Sequence, residues 1–347
     1  MDKLKKLKIV IIILSILIVI SIAVLLYFEL STDGGVLNKI KKTTTTTTTT
    51  KTPLQIYDEE SDARPFGVMI DNVPAAFPQA GVQDAFMIYE MTVEGGLTRL
   101  FAVFKDVNVT KIGPVRSARH NYLDYALENN AIYVHYGFSD RALVDLRALS
   151  INNLSGTGSD NSIFWRDSSL TKAPHNAFTS SARILERAAK KYDIDTGYDP
   201  VLNYSVDEVS LANYSDKIVA NKVRVPYNIY TPSYEYNTAE KVYYRFVSNK
   251  AYKDRNYNKQ VTVKNIIVIN VRNFPLANGG GKVQDYANIG TGTGYYITNG
   301  YAIPITYEKT SRSAQTVYKD STGKEITVND GNTFVQIQPI TKKTTFE

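Results

Sequence analysis

The sequence predicts an α+β fold: an N-terminal α/β domain with a mixed sheet, then a mostly-β domain, with a transmembrane helix ahead of both. Three observations carry this. Residues 9–28 form an uncharged run, apolar but for Ser15 and Ser21, about the 20 residues a helix needs to cross a bilayer. From Phe66 to about Lys191, strand-like and helix-like apolar periods alternate, the pattern of an α/β layer architecture. After about residue 217 no long helical period remains, and short strand-like runs follow one another to Gln338.

At 347 residues the chain is long enough for two domains. Lys3, Lys5, Lys6 and Lys8 precede the apolar run, and cations there favour a cytoplasmic N-terminus. A cleaved signal peptide has a shorter apolar core of about 7–15 residues and a small-residue exit. This run ends in Leu-Leu-Tyr-Phe-Glu-Leu. The expectation is therefore a single-pass plasma-membrane protein with residues 1–30 as anchor and the folded head outside the cell. Residues 31–52 hold Gly34-Gly35 and an unbroken run of eight threonines, Thr43 to Thr50. Such a low-complexity polar stretch reads as a disordered tether.

Of the net charge of +6, the anchor holds +2 and the tether +3, leaving +1 for residues 53–347. That lacks the concentrated basic footprint of a nucleic-acid partner. There is no cysteine, which excludes disulfides, thiolate metal sites, thiol catalysis and a lipidated cysteine.

The head divides into an α/β domain (53–205), a connector (206–216), a mostly-β domain (217–340) and a tail (341–347). In the first, Phe66–Ile70 reads as a buried strand between Pro65 and Asp71-Asn72. Ala85–Glu94 and Leu97–Lys105 flank Gly95-Gly96 and read as a hairpin. A two-residue turn pairs Thr92 with Arg99 and places Glu90, Thr92, Glu94 and Arg99 on one face. Pro114 suits the first position of a helix running to about Leu127, which puts Arg116, Arg119 and His120 on one side of its first turns. Ala131–Tyr136 reads as a strand, Ser139 as the cap of a helix to about Leu149, and Thr179 or Ser180 as the cap of another to about Lys191. In the second part, Val223–Val225, Val242–Val247, Val261–Val271, Gly294–Thr298, Tyr301–Tyr307, Gln315–Tyr318, Glu325–Val328 and Thr333–Gln338 read as strands, and Asn299-Gly300 is the strongest hairpin signal. This part is either a separate domain or a continuation of the first sheet.

EMTVEGGLTR (90–99), GPVRSAR (113–119), HYGFS (135–139), Phe164–Asp167, Ala173–Asn176, GYYITNG (294–300) and GKEITVN (323–329) together resemble the YerB-type family of bacterial envelope lipoproteins, over roughly residues 60–340. The resemblance implies a two-part extracytoplasmic domain and supplies no reaction or cofactor. Many such proteins use a lipidated cysteine as anchor; here the transmembrane run takes that place.

The site expected from the residues themselves lies between Ala85 and His120. Glu90 and Glu94 are the candidate catalytic carboxylates, since paired carboxylates suit glycan cleavage. An arginine neighbour lowers a carboxylate pKa, so Arg99 weakens that reading. Asp71, Arg99, Arg116, Ser117, Arg119, His135, Ser139, Arg166, His175 and Asn176 are the candidate ligand-binding residues. Arginines at a helix start favour an anion. His120, His135 and His175 lie 15 and 40 residues apart and form no zinc-binding motif, so neither metal nor cofactor is expected. The leading functional expectation is non-catalytic binding of an anionic glycan, small molecule or peptide of the cell wall, with an envelope protein as a further partner. The alternatives are a wall-glycan hydrolase or lyase using Glu90 or Glu94, and a purely structural scaffold.

Overall fold

A single large sheet joins both halves of the head. The computed structural model describes residues 2–31, 52–169, 172–277 and 283–347. It divides into two units, residues 1–52 and 53–347. In the first, helix α1 spans Asp2–Ser31. Among the described residues no helix is long and apolar enough to cross a membrane. The side chains of 9–12, 25, 26 and 28 within the expected span lie outside the described residues, as does most of the Thr-rich tether.

In the second unit the strands are β1 (Phe66–Asp71), β2 (Met87–Thr92), β3 (Thr98–Phe104), β4 (Ile132–His135), β5 (Asn153–Ser155), β6 (Lys222–Arg224), β7 (Pro232–Asn237), β8 (Val242–Val247), β9 (Asn265–Val271), β10 (Gly290–Thr298), β11 (Tyr301–Lys309), β12 (Val317–Lys319) and β13 (Thr333–Pro339). The helices are α2 (His120–Glu128), α3 (Asp140–Ala148) and α4 (Ser181–Ala189). The main sheet runs β12-β11-β10-β9-β13-β2-β3-β1-β4-β5. It is mixed: β2 and β9 both flank β13 in parallel, while β1, β2 and β3 are antiparallel neighbours. The C-terminal part thus continues the first sheet, and the second alternative left by the sequence is the one observed. The expected tail also folds, since Thr345–Phe346 pairs with β6.

Both faces of the sheet are apolar, which is why its central strands read as continuous hydrophobic runs. Met69, Tyr89, Met91 and Phe101 pack with Tyr122, Leu123 and Leu146 of α2 and α3. Val68, Ile70, Ile88 and Leu100 pack with Ile184 of α4 and with Val223, Tyr234 and Tyr243 of the smaller sheet β6–β8. Each such fully buried side chain contributes roughly 1.5–3 kcal/mol. Ser139 caps α3 by accepting from Ala142 N–H, and Ser180 caps α4 by accepting from Arg183 N–H. Asn299 (φ 49°) and Gly300 (φ 80°) form the two-residue turn between Thr298 and Tyr301, with the positive φ that such a turn requires.

Two local expectations are corrected. The β2–β3 turn is longer than two residues, running from Val93 to Leu97 with a short 3-10 turn at Glu94–Gly96. Thr92 therefore opposes Thr98, and Met91 opposes Arg99. This one-residue slip moves Arg99 to the face opposite Glu90. The helix expected from Pro114 begins only at His120. Residues 112–118 are extended instead because their backbone groups are used across the sheet ends: Val115 bridges Ile70, Ile112 bridges Thr179 and Ala118 bridges Phe138.

Candidate functional site

The longer turn divides the expected charge cluster into two. Glu90, on the β6–β8 side of the sheet, is fully buried. Its Oε1 accepts from Asn72 Nδ2 (3.0 Å) and Thr98 Oγ1 (2.8 Å), and its Oε2 from Arg245 Nη2 (2.8 Å) and Gln336 Nε2 (3.1 Å). Arg245, also 0% exposed, comes from β8 and donates to Tyr234 as well. Its guanidinium lies 4.7 Å from the Phe334 ring centre and 4.8 Å from that of Tyr252. Tyr227 donates to the Glu90 carbonyl. A buried charge survives only when paired and hydrogen-bonded in this way. Glu90 thus has neither a free lone pair nor an opening to solvent, and its expected partner Arg99 is replaced by Arg245. The catalytic expectation for Glu90 does not fit this geometry.

The other cluster collects at the C-terminal end of β1, the start of β3 and the segment ahead of α2. Arg116 is fixed by its backbone: its N–H donates to Met69 O, and its carbonyl accepts from Tyr136 N–H. This wedges it between the ends of β1 and β4, where parallel strands part and α/β folds place ligands. Asp71, 2% exposed, holds His175 Nδ1 2.7 Å from its Oδ2, and Arg116 Nε lies 3.1 Å from the same oxygen. The latter contact lacks hydrogen-bonding geometry, so the buried Arg116 Nε–H has no acceptor. Arg99 Nη1 donates to Ser117 O (2.6 Å), and Arg119 Nε donates to Glu94 Oε1 (2.5 Å).

Electrostatics follow from the count of charges. Burial pulls the Arg99 guanidinium down to about 10, and the neighbouring Arg119 and Arg116 pull the same way against Glu94 and Asp71. Burial alone would raise Glu94, but the hydrogen bond and charge of Arg119 outweigh it and hold the carboxyl below its usual value. A general acid needs the opposite shift. Three guanidiniums here face two carboxylates.

The remaining expected residues are engaged elsewhere or at the margin. Asn176 accepts from Arg166 Nη1 (2.9 Å), and that guanidinium stacks 4.7 Å from the centre of the Tyr136 ring, next to Arg116 in the backbone network. Ser139 is occupied as the α3 cap. His135 is buried on β4 with Nδ1 2.7 Å from Gly137 O and Nε2 3.1 Å from Asn153 Oδ1, and burial lowers its pKa. Among the described residues no His/Asp/Glu group is placed to hold a metal ion. Sequence reasoning missed Arg245, Gln336 and Tyr234. A signal for Arg245 existed: in β8 it falls in phase with the inward Tyr243 and Val247, and a charge on the buried phase of a strand calls for a partner.

Comparison with known proteins places the fold. Residues 51–198 match the family model described as protein of unknown function (DUF3048), N-terminal domain, and residues 222–335 match its C-terminal domain. The chain is 30% identical over 293 residues to YerB of Bacillus subtilis (strain 168), provisionally named a lipoprotein, covering 83% of this chain and 85% of that one. The crystal structure of the YerB protein from Bacillus subtilis superposes with a TM-score of 0.72 at 26% identity, over 82% of this chain and 94% of that one. With both domain models in order along the chain and a relative aligned over most of its length, the protein belongs to the YerB-like DUF3048 family.

Proposed function

We propose that this is a membrane-tethered envelope protein whose head binds an anionic wall component, without catalysis, at Asp71, Glu94, Arg99, Arg116, Arg119 and His175. The observation that carries this reading is the imbalance of the cluster: three guanidiniums for two carboxylates, with the Arg116 Nε–H lacking an acceptor. A carboxylate or phosphate supplies the missing charge and the missing acceptor together. The low pKa of Glu94 and the sealed position of Glu90 argue against the hydrolase alternative. For the tether, support comes from the basic start and apolar run of the sequence and from α1, where Ile13, Leu17, Val19 and Ile20 are each more than half exposed. The lipoprotein name of the Bacillus relative fits an envelope location, and with no cysteine in this chain the anchor is the helix itself.

The test is calorimetric titration of the head, residues 52–347, with purified muropeptides bearing free stem carboxylates. Saturable, salt-weakened binding that drops about tenfold in Arg116→Ala, with no fragment released, supports the reading. Fragment release that disappears in Glu94→Gln, or binding indifferent to Arg116→Ala, overturns it.

A further inference from the structure

A second concavity, between the turn at residues 74–79 and the hairpin that follows β8, adjoins the arginine cluster through Gln79, whose Nε2 donates to the Asp71 carbonyl. Its volume is about 410 Å³, within the range of small-molecule sites. Its walls are Phe77, Tyr230, Val247 and Tyr252, with Phe77 and Tyr252 packed edge to face at 5.5 Å. Lys250 and Lys253 line it as well; both are exposed, and among the described residues neither forms a salt bridge. Two of the lining residues carry buried polar atoms with no partner: Gln79 Oε1, on a residue 0% exposed, and the Tyr252 hydroxyl, on one 3% exposed. Buried polar groups are rarely left so. Tyr252 gains nothing from the nearby ion pair, since Arg245 meets its ring face and not its oxygen.

We infer that this cleft binds a small amphipathic anion: an apolar chain or ring between the aromatic walls, an acidic group at Lys250 and Lys253, and a polar atom meeting Gln79 or Tyr252. The walls account for the apolar part, since desolvating such surface is favourable. The unpaired lysines account for the charge. The cations of this cleft are distinct from Arg99, Arg116 and Arg119, so the inference stands independently of the wall-binding reading. The two sources of such a ligand are an acyl chain and an aromatic acid.

The crystallised relative is covered over 94% of its chain by this one, so the head is a fold that stands on its own and serves for the test. It is titrated with the fluorescent anion 1-anilinonaphthalene-8-sulfonate and with uncharged N-phenyl-1-naphthylamine. The expected result is one saturable site for the anion and at least tenfold weaker binding of the neutral probe. Ala251→Trp, at an exposed lining position, fills the cleft and weakens the anion at least tenfold at unchanged melting temperature. Lys250→Glu with Lys253→Glu weakens it about fivefold or more and leaves the neutral probe unaffected. Displacement by dodecanoate identifies the acyl source, and displacement by 1-naphthalenesulfonate the aromatic one. Absence of a saturable site, indifference to Ala251→Trp, equal affinity for both probes, or no displacement by either competitor overturns the inference.

Discussion

Glu90 and Glu94 sit four residues apart on the same hairpin and both meet an arginine, yet they belong to opposite kinds of environment. Around Glu90, each carboxylate oxygen has two donors, one charge meets one charge, and water is excluded. Around Glu94, the pair with Arg119 is partly open, and two further guanidiniums share the space. The difference is one of completion. Glu90 has no lone pair left to offer and is sealed from solvent, so the one unsatisfied donor beside it, the Arg245 Nε–H, is out of a ligand's reach, whereas the open cluster can accept a partner.

That contrast breaks most visibly at Arg245. Arg245→Ala leaves Glu90 buried and uncompensated, and should cost about 3–5 kcal/mol in urea unfolding of the head. Replacing both partners, Glu90→Gln with Arg245→Met, should cost clearly less than the two single changes summed, a coupling of about 1–3 kcal/mol in a double-mutant cycle. In the open cluster the ranking reverses. Arg116→Ala, which breaks no formed side-chain hydrogen bond and leaves the buried Asp71 its His175 partner, should cost clearly less stability than Arg245→Ala while removing most anion binding. Acid adds a smaller effect. Burial lowers the pKa of both His120 and His135 from the ordinary 6.5, so the folded head takes up these protons later than the unfolded chain. Their contribution is complete above pH about 6.5 and is lost as pH falls through the folded values. His135→Asn should flatten the decline of melting temperature with falling pH over this window; an unchanged slope would remove His135 from this account.

The sequence was a good guide wherever a local rule decided the outcome. Ser139 and Ser180 cap their helices, and Asn299-Gly300 makes its turn, because each solution is held within a few residues. It misled at Gly95-Gly96, where a tight turn was available but Glu94–Gly96 form a 3-10 turn, and Asn228 and Ile229 close in beside Gly96. It misled again at Pro114, where backbone pairing to β1 and Thr179 overrode helix propensity. The pairing of Glu90 with Arg245 spans 155 residues. No spacing rule reaches that far, although the inward phase of Arg245, like that of Lys309 beyond Tyr307 on β11, marked each as a buried cation in need of an anion. For Lys309 that anion is Glu128, at 2.7 Å.

The position of β13 bears on how the chain is made. It fills the slot between β2 and β9, pairing Thr333 with both Met87 and Asn265. Until residues 333–339 have been made, β2 has an unpaired rim that any other extended chain can occupy. Assembly of the sheet must therefore wait for β13, about 240 residues after β2, and long-range closure of this kind is slow and exposed to aggregation. A nonsense codon shortly before residue 333 would leave two half-sheets with no strand to join them.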